Sequence, residues 1–229
     1  RGLPRWMVEE AANLKCQACV ENQRGNQLIP HKSIGVQPPP WQFVGMDVFE
    51  VPFPKQQCKV RYLVMADLCM QFVSLQVLHV GSLSDSGTDG GDKLVAAFCN
   101  GWLIHRPRPE WVLVDSQTSL CYGAMSDFLS MAGIGLSVIA GEAHWQHGKT
   151  ESMVRITKGI IRRLRNENPE IDPAAAAYLA CIASNNTWKS NGFSPVQWAY
   201  GCDPDFKRDV EPDPLEANKR FGVGPNFCR

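Results

Sequence analysis

The 229-residue sequence lacks a long hydrophobic run, a secretory signal pattern and an excess of charge of either sign. No apolar run reaches the ~18 residues that a membrane-spanning helix needs, so no membrane partner is expected. The 23 basic residues are balanced by 23 acidic residues, which gives a formal net charge of zero. Composition alone therefore does not indicate a nucleic-acid-binding protein.

The nine cysteines do not suggest a disulfide framework, because most of them stand alone inside apolar runs, as Cys69, Cys99 and Cys181 do. Disulfide scaffolds are typical of short secreted chains, whereas isolated cysteines in apolar runs are typical of reduced core residues. We therefore expect free thiols in an intracellular protein. The first residue is Arg1 and not methionine, so a piece of a longer polyprotein is expected.

With 44% hydrophobic residues, the chain suits one domain of moderate size with tails. The proline-rich segment 37–41 predicts a stiff linker at the start of that domain. Residues 202–229 contain four prolines and no clear periodicity, which predicts a second linker. The expected organisation is thus a tail at 1–36, a domain at 37–201 and a linker at 202–229.

Hydrophobic periodicity and turn residues predict an α/β domain that begins with an antiparallel meander. Asp172 is expected to cap the last helix, with proline at the first helical position. The predicted elements are strands at 43–51, 60–68 and 72–80, a helix at 92–105, a strand at 111–114, a helix at 121–132, a strand at 135–140, a polar loop at 141–148, and helices at 151–166 and 173–188.

Three carboxylates stand out because two of them interrupt or end apolar strands. Asp47 lies inside the apolar run 43–49, and Asp115 ends the run 111–114. Glu151 follows after a spacer of 35 residues and opens a long basic helical pattern. An aspartate in an apolar strand is costly unless a cation meets it. Three such groups can converge on Mg²⁺ or Mn²⁺, and two ions held in this way promote phosphodiester chemistry.

Asp67 lies near the turn between the second and third predicted strands, and it has two interpretations. It could serve as a fourth metal ligand, or it could accept hydrogen bonds from the backbone amides of the turn. The turn role is favoured.

The ordered set of Asp47, Asp115 and Glu151 resembles the D,D,E catalytic core of retroviral and retrotransposon integrases, and gypsy-type retrotransposon integrases most of all. Residues 148–151 (GKTE) resemble the Gly-x-Thr-Glu motif of that family, and residues 191–201 resemble its "sP…yG" segment. The resemblance covers roughly residues 37–201. It implies a ribonuclease H-like fold, in which helices flank a five-stranded mixed sheet.

The resemblance also implies a reaction. Integrases of this kind trim the 3′ ends of an element's DNA and join those ends to target DNA, with two Mg²⁺ (or Mn²⁺) ions bound by the three carboxylates. The expected partners are double-stranded DNA and further copies of the chain, as a homodimer or higher oligomer. The expected place of action is the nucleus, after synthesis in the cytoplasm. The alternatives are a catalytically inactive or domesticated binding domain, and a ribonuclease H-like nuclease outside transposition.

Glu142 competes with Glu151 for the third position, since it would leave a spacer of 26 residues after Asp115. Glu151 is preferred because its 35-residue spacer fits the family and a helical pattern follows it.

Basic residues on the helical pattern after Glu151 are candidates for DNA binding. Arg155 and Lys158 fall on the same helical face as Glu151, where cations can bind phosphates near the scissile bond, and Arg162 lies one turn further. An ordinary solvated helix face is the alternative. Related enzymes carry a polar residue that contacts the DNA end at the position of His147, so a DNA contact is expected there too.

Cys16 and Cys19 have the spacing of two ligands on one side of a Zn²⁺ site. Integrases of this family carry a His-His-Cys-Cys zinc domain before the core, with both histidines upstream of the cysteines. The pair therefore resembles the second half of such a site, whose upstream ligands are missing from this sequence. A pair of free thiols is the alternative.

Overall fold

The computed structural model describes residues 38–84, 90–115, 119–139, 144–187 and 193–201, with only the backbone described at 119, 139 and 144–147. The predicted tail at 1–36 and the predicted linker at 202–229 lie outside these residues. Their assignment stays a prediction.

A five-stranded mixed sheet forms the centre of the domain, which confirms the predicted fold class. Its first three strands form an antiparallel meander, and the last two join β1 in parallel on the other side, in the order β3-β2-β1-β4-β5. The strands are β1 (Phe43–Phe53), β2 (Cys58–Asp67), β3 (Val73–Ser82), β4 (Trp111–Asp115) and β5 (Gly135–Ile139).

Five α-helices flank this sheet within the described residues. They are α1 (Gly91–Phe98), which continues as a π-helical turn over Cys99–Leu103, α2 (Ala124–Met131), α3 (His144–Glu167), α4 (Pro173–Asn186) and α5 (Pro195–Tyr200). As predicted, Asp172 caps α4, and its side chain accepts a hydrogen bond of 2.9 Å from the backbone N–H of Ala175.

The sheet buries both of its faces, so alternate residues of β1 enter two different cores. Val44 and Met46 pack in one core, which contains Trp102 and the buried residues of α1 and α2. Phe49 and the following alternate residues of β1 pack in the other core, against α3 and α4. Gly45 and Asp47 lie four and two residues before Phe49, so they are on the same face of the strand as Phe49, which is the face covered by α3.

The long third helix begins earlier than the sequence pattern predicts. The segment 141–148 was expected to be a polar loop, but α3 starts at His144, so that expectation is wrong from residue 144 onwards. Glu151 is the eighth residue of the helix and does not open it. The physical reason is that residues 144–150 contain no proline, so every residue can donate its backbone N–H to a helical hydrogen bond. The helix stabilised by packing of α3 on the sheet can therefore extend back to His144.

Two further differences come from tertiary packing and from capping. The predicted helix at 92–105 divides into α1 and a π-helical turn, in which a Cβ at Gly101 would lie 2.5 Å from the side chains of Gln76 and Met65. Helix α5 was not predicted at all. It is only six residues long, and the capping box of Ser194 and Gln197 marks its start.

Asp67 has the role of a turn residue, which confirms the favoured interpretation and counts against a fourth metal ligand. Its Oδ2 accepts a hydrogen bond of 2.7 Å from the backbone N–H of Trp41, and its Oδ1 accepts bonds from those of Cys69 and Met70. Burial raises the pKa of Asp67, while these amides and the ammonium of Lys149 oppose that shift. Both carboxylate oxygens therefore bind backbone amides, Oδ1 within the turn and Oδ2 at Trp41 before β1.

The five cysteines of the described residues are free thiols, as expected, at positions 58, 69, 99, 121 and 181. Of the helices in the described ranges, none is long and apolar enough to cross a membrane.

Asp67→Asn should lower the free energy of unfolding by about 1–3 kcal/mol, because the amide keeps one acceptor oxygen and turns a donor towards backbone donors. Urea unfolding at neutral pH measures the change. Asp127→Asn, the same substitution at an exposed position of α2, is the control and should change little. An unchanged stability for Asp67→Asn, together with weaker Mg²⁺ binding, would contradict the turn role.

Gly45→Ala should also lower the free energy of unfolding, by about 1–3 kcal/mol, since the new Cβ would collide with Thr150 Oγ1 and reach Leu68 Cδ2 at 3.1 Å. Gly159→Ala is the matched control in α3, where a Cβ meets nothing within 4 Å. It should raise stability by about 0.5–1 kcal/mol. Thermal unfolding of both variants tests this, and equal stabilisation by both would show that α3 does not depend on a glycine at position 45.

Candidate active site

Two of the three predicted ligands lie on neighbouring parallel strands. Gly45 of β1 pairs with Leu113 of β4, and the same register continued by two residues brings Asp47 level with Asp115. Neighbouring strands lie about 4.8 Å apart. Because paired residues of a sheet point to the same face, both aspartates belong to the face on which α3 packs.

Each aspartate has a defined local environment. Both residues are half-buried. Asp47 Oδ1 accepts a hydrogen bond of 2.7 Å from the backbone N–H of Val48, which turns this carboxylate towards the strand. The backbone carbonyl of Asp115 accepts a hydrogen bond of 3.0 Å from the thiol of buried Cys121. That contact ties the end of β4 to the segment that follows it.

Helix α3 brings the third carboxylate to the same part of the sheet. Thr150 is buried against Gly45, two residues before Asp47 on β1, and only a glycine leaves room for the helix at this distance. Glu151 is the next residue and is exposed. Lys149, on the other side of Thr150, donates a hydrogen bond of 2.8 Å to the backbone carbonyl of Leu68.

Metal-ligating side chains do not form a closed cluster in this arrangement. Within the described residues, no group of three His, Cys, Asp or Glu side chains is close enough to hold one metal ion. The structure thus pairs β1 with β4 up to two residues before Asp47 and Asp115, and it packs Thr150, the neighbour of Glu151, against Gly45 of β1. The three residues offer carboxylate oxygens, which are the ligands that Mg²⁺ prefers.

Lys158 supplies a positive charge that interacts with Asp47. Its Nζ lies 6.0 Å from the centre of the Phe49 ring, at the outer limit of a cation–π contact. Burial lowers the pKa of Lys158 and the nearby Arg162 lowers it further, whereas the charges of Glu50 and Asp47 raise it. The ammonium of this half-buried residue therefore lies within the electrostatic field of Asp47.

The remaining predicted DNA-binding and zinc-binding residues are only partly described. Arg155 is exposed and Arg162 is half-buried, both on α3. His147 belongs to α3 as well, but its side chain lies outside the described residues, as do Cys16 and Cys19. Their proposed roles stay predictions.

Glu142, the competitor of Glu151, also lies outside the described residues. The preference for Glu151 therefore stays a prediction.

Sequence reasoning did not find the contacts that hold the site together. Lys149 and Thr150 were visible only as members of the motif at 148–151, and Gly45 only as a residue of the apolar run 43–49. Their mutual contacts depend on the angle at which α3 crosses the sheet, which no local pattern specifies. Cys121 gave no signal beyond being an apolar residue.

Comparison with known proteins gives structural matches only. The sequence matches no protein-family model and no curated protein. The HTLV-2 integrase catalytic core domain in complex with magnesium, in its dimeric form, is similar with a TM-score of 0.55 at 16% identity, over 69% of this chain and 95% of that chain. Its trimeric form gives a TM-score of 0.51 at the same identity and the same coverage.

A chain from a larger assembly is similar as well. The simian T-cell lymphotropic virus intasome, solved in complex with the PP2A regulatory subunit B56 gamma, gives a TM-score of 0.60 at 18% identity, over 87% of this chain and 68% of that chain. These matches confirm the expected resemblance at the level of fold. The chain has the ribonuclease H-like fold of retroviral integrase catalytic core domains.

Proposed function

We propose that this chain is the catalytic core of a retroelement integrase and that Asp47, Asp115 and Glu151 bind its divalent metal ions. The observation that supports the proposal is the parallel pairing of β1 with β4, which runs to Gly45 and Leu113. Continued by two residues, this register makes Asp47 and Asp115 neighbours on the face crossed by α3. A divalent cation would offset the repulsion between two half-buried carboxylates on neighbouring parallel strands.

The donor set fits Mg²⁺ or Mn²⁺, because all three side chains offer carboxylate oxygens. When bound between these residues, two such ions would activate the attacking oxygen and stabilise the leaving oxygen of a phosphodiester. The role of the chain is to hold the carboxylates in place. The Val48 N–H fixes one oxygen of Asp47, and the thiol of Cys121 fixes the backbone of Asp115.

The proposed reaction has two steps of the same kind. In the first, water attacks a phosphodiester near the end of the element's DNA, and the 3′ oxygen leaves with a proton as a free hydroxyl group. In the second, that 3′-hydroxyl attacks a phosphodiester of the target DNA, and the target's own 3′ oxygen leaves. Charge builds up on the non-bridging oxygens in both steps, so positioning and electrostatic stabilisation supply most of the catalysis.

The basic face of α3 is the proposed surface for DNA. Arg155 is exposed there, Lys158 lies near Asp47, and Arg162 and His147 extend the same helix. The HTLV-2 cores are described as dimeric and trimeric, and the simian virus protein as part of an intasome. These neighbours support DNA and further copies of this chain as partners. Action on element ends and target DNA in the nucleus is part of the proposal and follows only from the proposed reaction.

A second candidate is a catalytically inactive integrase-like domain that binds nucleic acid or protein. The absence of a closed three-ligand cluster within the described residues favours it. The two candidates differ in one measurable property, since only the first requires metal-dependent turnover.

Asp47→Asn and Glu151→Gln should each reduce strand transfer to below about 1% of the wild-type rate, because metal charge stabilisation is worth several kcal/mol in the transition state. A disintegration substrate in Mn²⁺ or Mg²⁺ is the suitable assay for a core without flanking domains. Asp127→Asn is the control for loss of an exposed carboxylate and should keep full activity.

Near-normal turnover by Asp47→Asn would rule out the assignment of ligands. A wild-type chain that binds DNA but shows no metal-dependent turnover would support the inactive binding domain instead. Circular dichroism and urea unfolding of each variant separate a loss of chemistry from a loss of fold.

Arg155→Met and Lys158→Met should each weaken DNA binding and reduce the slope of log Kd against log salt by about 1, since each removes one phosphate contact. Lys93→Met, at an exposed position of α1, is the matched control and should keep the wild-type slope. Fluorescence anisotropy over a salt series measures both quantities. Equal slopes for all three variants would show that the α3 face is an ordinary solvated surface.

A further inference from the structure

The lysine two residues before Glu151 makes a contact that the proposed chemistry does not use. Lys149 Nζ donates a hydrogen bond of 2.8 Å to the backbone carbonyl of Leu68, which lies just after β2. The backbone N–H of Leu68 donates in turn to the carbonyl of Phe43, at 3.0 Å. Lys149 is therefore connected, through one residue, to the first residue of the strand that carries Asp47.

The acceptor of this hydrogen bond belongs to a rigid turn. The backbone N–H of Asp67 donates a hydrogen bond of 2.9 Å to the backbone carbonyl of Phe72. The backbone N–H of Gln71 donates one of 2.9 Å to the backbone carbonyl of Asp67. The carboxylate of Asp67 accepts hydrogen bonds from two backbone amides of the same turn and from that of Trp41, just before β1. A side chain that binds the Leu68 carbonyl is thus attached to a fixed point of the sheet.

A second contact holds the next residue of α3. Thr150 is buried against Gly45, and a Cβ at position 45 would also lie 3.1 Å from Leu68. Lys149 and Thr150 are successive residues of α3, and each contacts the sheet at a different point, Leu68 for the first and Gly45 for the second. Two such contacts restrict both rotation of α3 about its axis and movement along it, and Glu151 is the next residue.

The charge of Lys149 is directed towards the protein. Its ammonium lies close enough to the buried carboxylate of Asp67 to oppose the effect of burial on the pKa of that group. Lys149 as a residue is exposed, but its ammonium binds the Leu68 carbonyl. A lysine that serves only to bind phosphate needs no such contact with its own chain.

We propose that Lys149 is a positioning residue, which binds the Leu68 carbonyl and so fixes the turn of α3 that presents Glu151 beside Asp47 and Asp115. This inference rests on the proposed integrase function. Residues that orient a ligand without touching the metal commonly change metal affinity or activity by about 10–100-fold when they are replaced.

The test compares Lys149→Met, which keeps the aliphatic stem but loses the donor, with Lys149→Arg, which keeps a charged donor. Lys55→Met is the matched control, since Lys55 is an exposed lysine in the β1–β2 turn, at the end of β1 away from Lys149. The first readout is amide hydrogen exchange of residues 148–153 in the free protein. The second is kcat and KM on a disintegration substrate, and the third is the salt dependence of DNA binding.

Lys149→Met should speed exchange in residues 148–153 and lower kcat about tenfold, with KM and the salt slope unchanged, because positioning affects the transition state and not ground-state binding. Lys149→Arg should restore most of the loss in both readouts, and Lys55→Met should match the wild type. Lys149→Ala, which also removes the donor and suits a helix, provides the same comparison if Lys149→Met fails to fold.

Unchanged exchange would overturn the proposal, whatever the kinetic result. An increase in KM with a salt slope reduced by about 1 would assign Lys149 to DNA binding. If the wild-type chain shows no metal-dependent turnover, the proposed function fails, but the exchange comparison still decides whether Lys149 fixes α3. The two failures are therefore distinguishable.

Discussion

The close approach of α3 to β1 at Gly45 is the constraint on which the candidate site depends. A side chain at this position would collide with Thr150, so the absence of a Cβ permits the helix to cross the sheet at this point. The same crossing brings Glu151 to the part of the sheet where β1 carries Asp47. It also turns Lys149 towards Leu68. One glycine thereby permits contact between a strand and a helix at residues 45 and 150, which are more than a hundred positions apart in sequence.

The acidic residues of this region divide into two groups with different physical roles. Asp67 is buried and uses both oxygens to bind backbone amides, so its carboxylate stabilises the turn between β2 and β3. Asp47 and Asp115 are half-buried on the α3 face, at matching positions of paired strands. The ammonium of Lys158 lies in the field of Asp47. Half-buried carboxylates with a lysine in their field suit a substrate made of phosphates and divalent ions.

Most of the architecture could be predicted from the sequence, because it depends on local patterns. Alternation of apolar residues predicted the three strands of the meander, and the apolar run before Asp115 predicted a parallel strand. Asp172 and Pro173 predicted the start of α4. What could not be predicted depends on packing between distant segments. The start of α3 at His144 requires the sheet beneath it, and the π-helical turn at Cys99–Leu103 lies where Gly101 approaches Gln76 and Met65. The contacts of Lys149 and Cys121 follow from the same packing.

The central claim is that Asp47, Asp115 and Glu151 share bound divalent ions. A crystal structure of the chain grown with Mn²⁺, with anomalous diffraction collected at the manganese edge, tests this claim most directly. The account predicts anomalous density between the three carboxylates, with oxygen ligands from each of them. Density at other residues only, or carboxylates at positions 47, 115 and 151 that point to separate surfaces while Mn²⁺ is present, would contradict it.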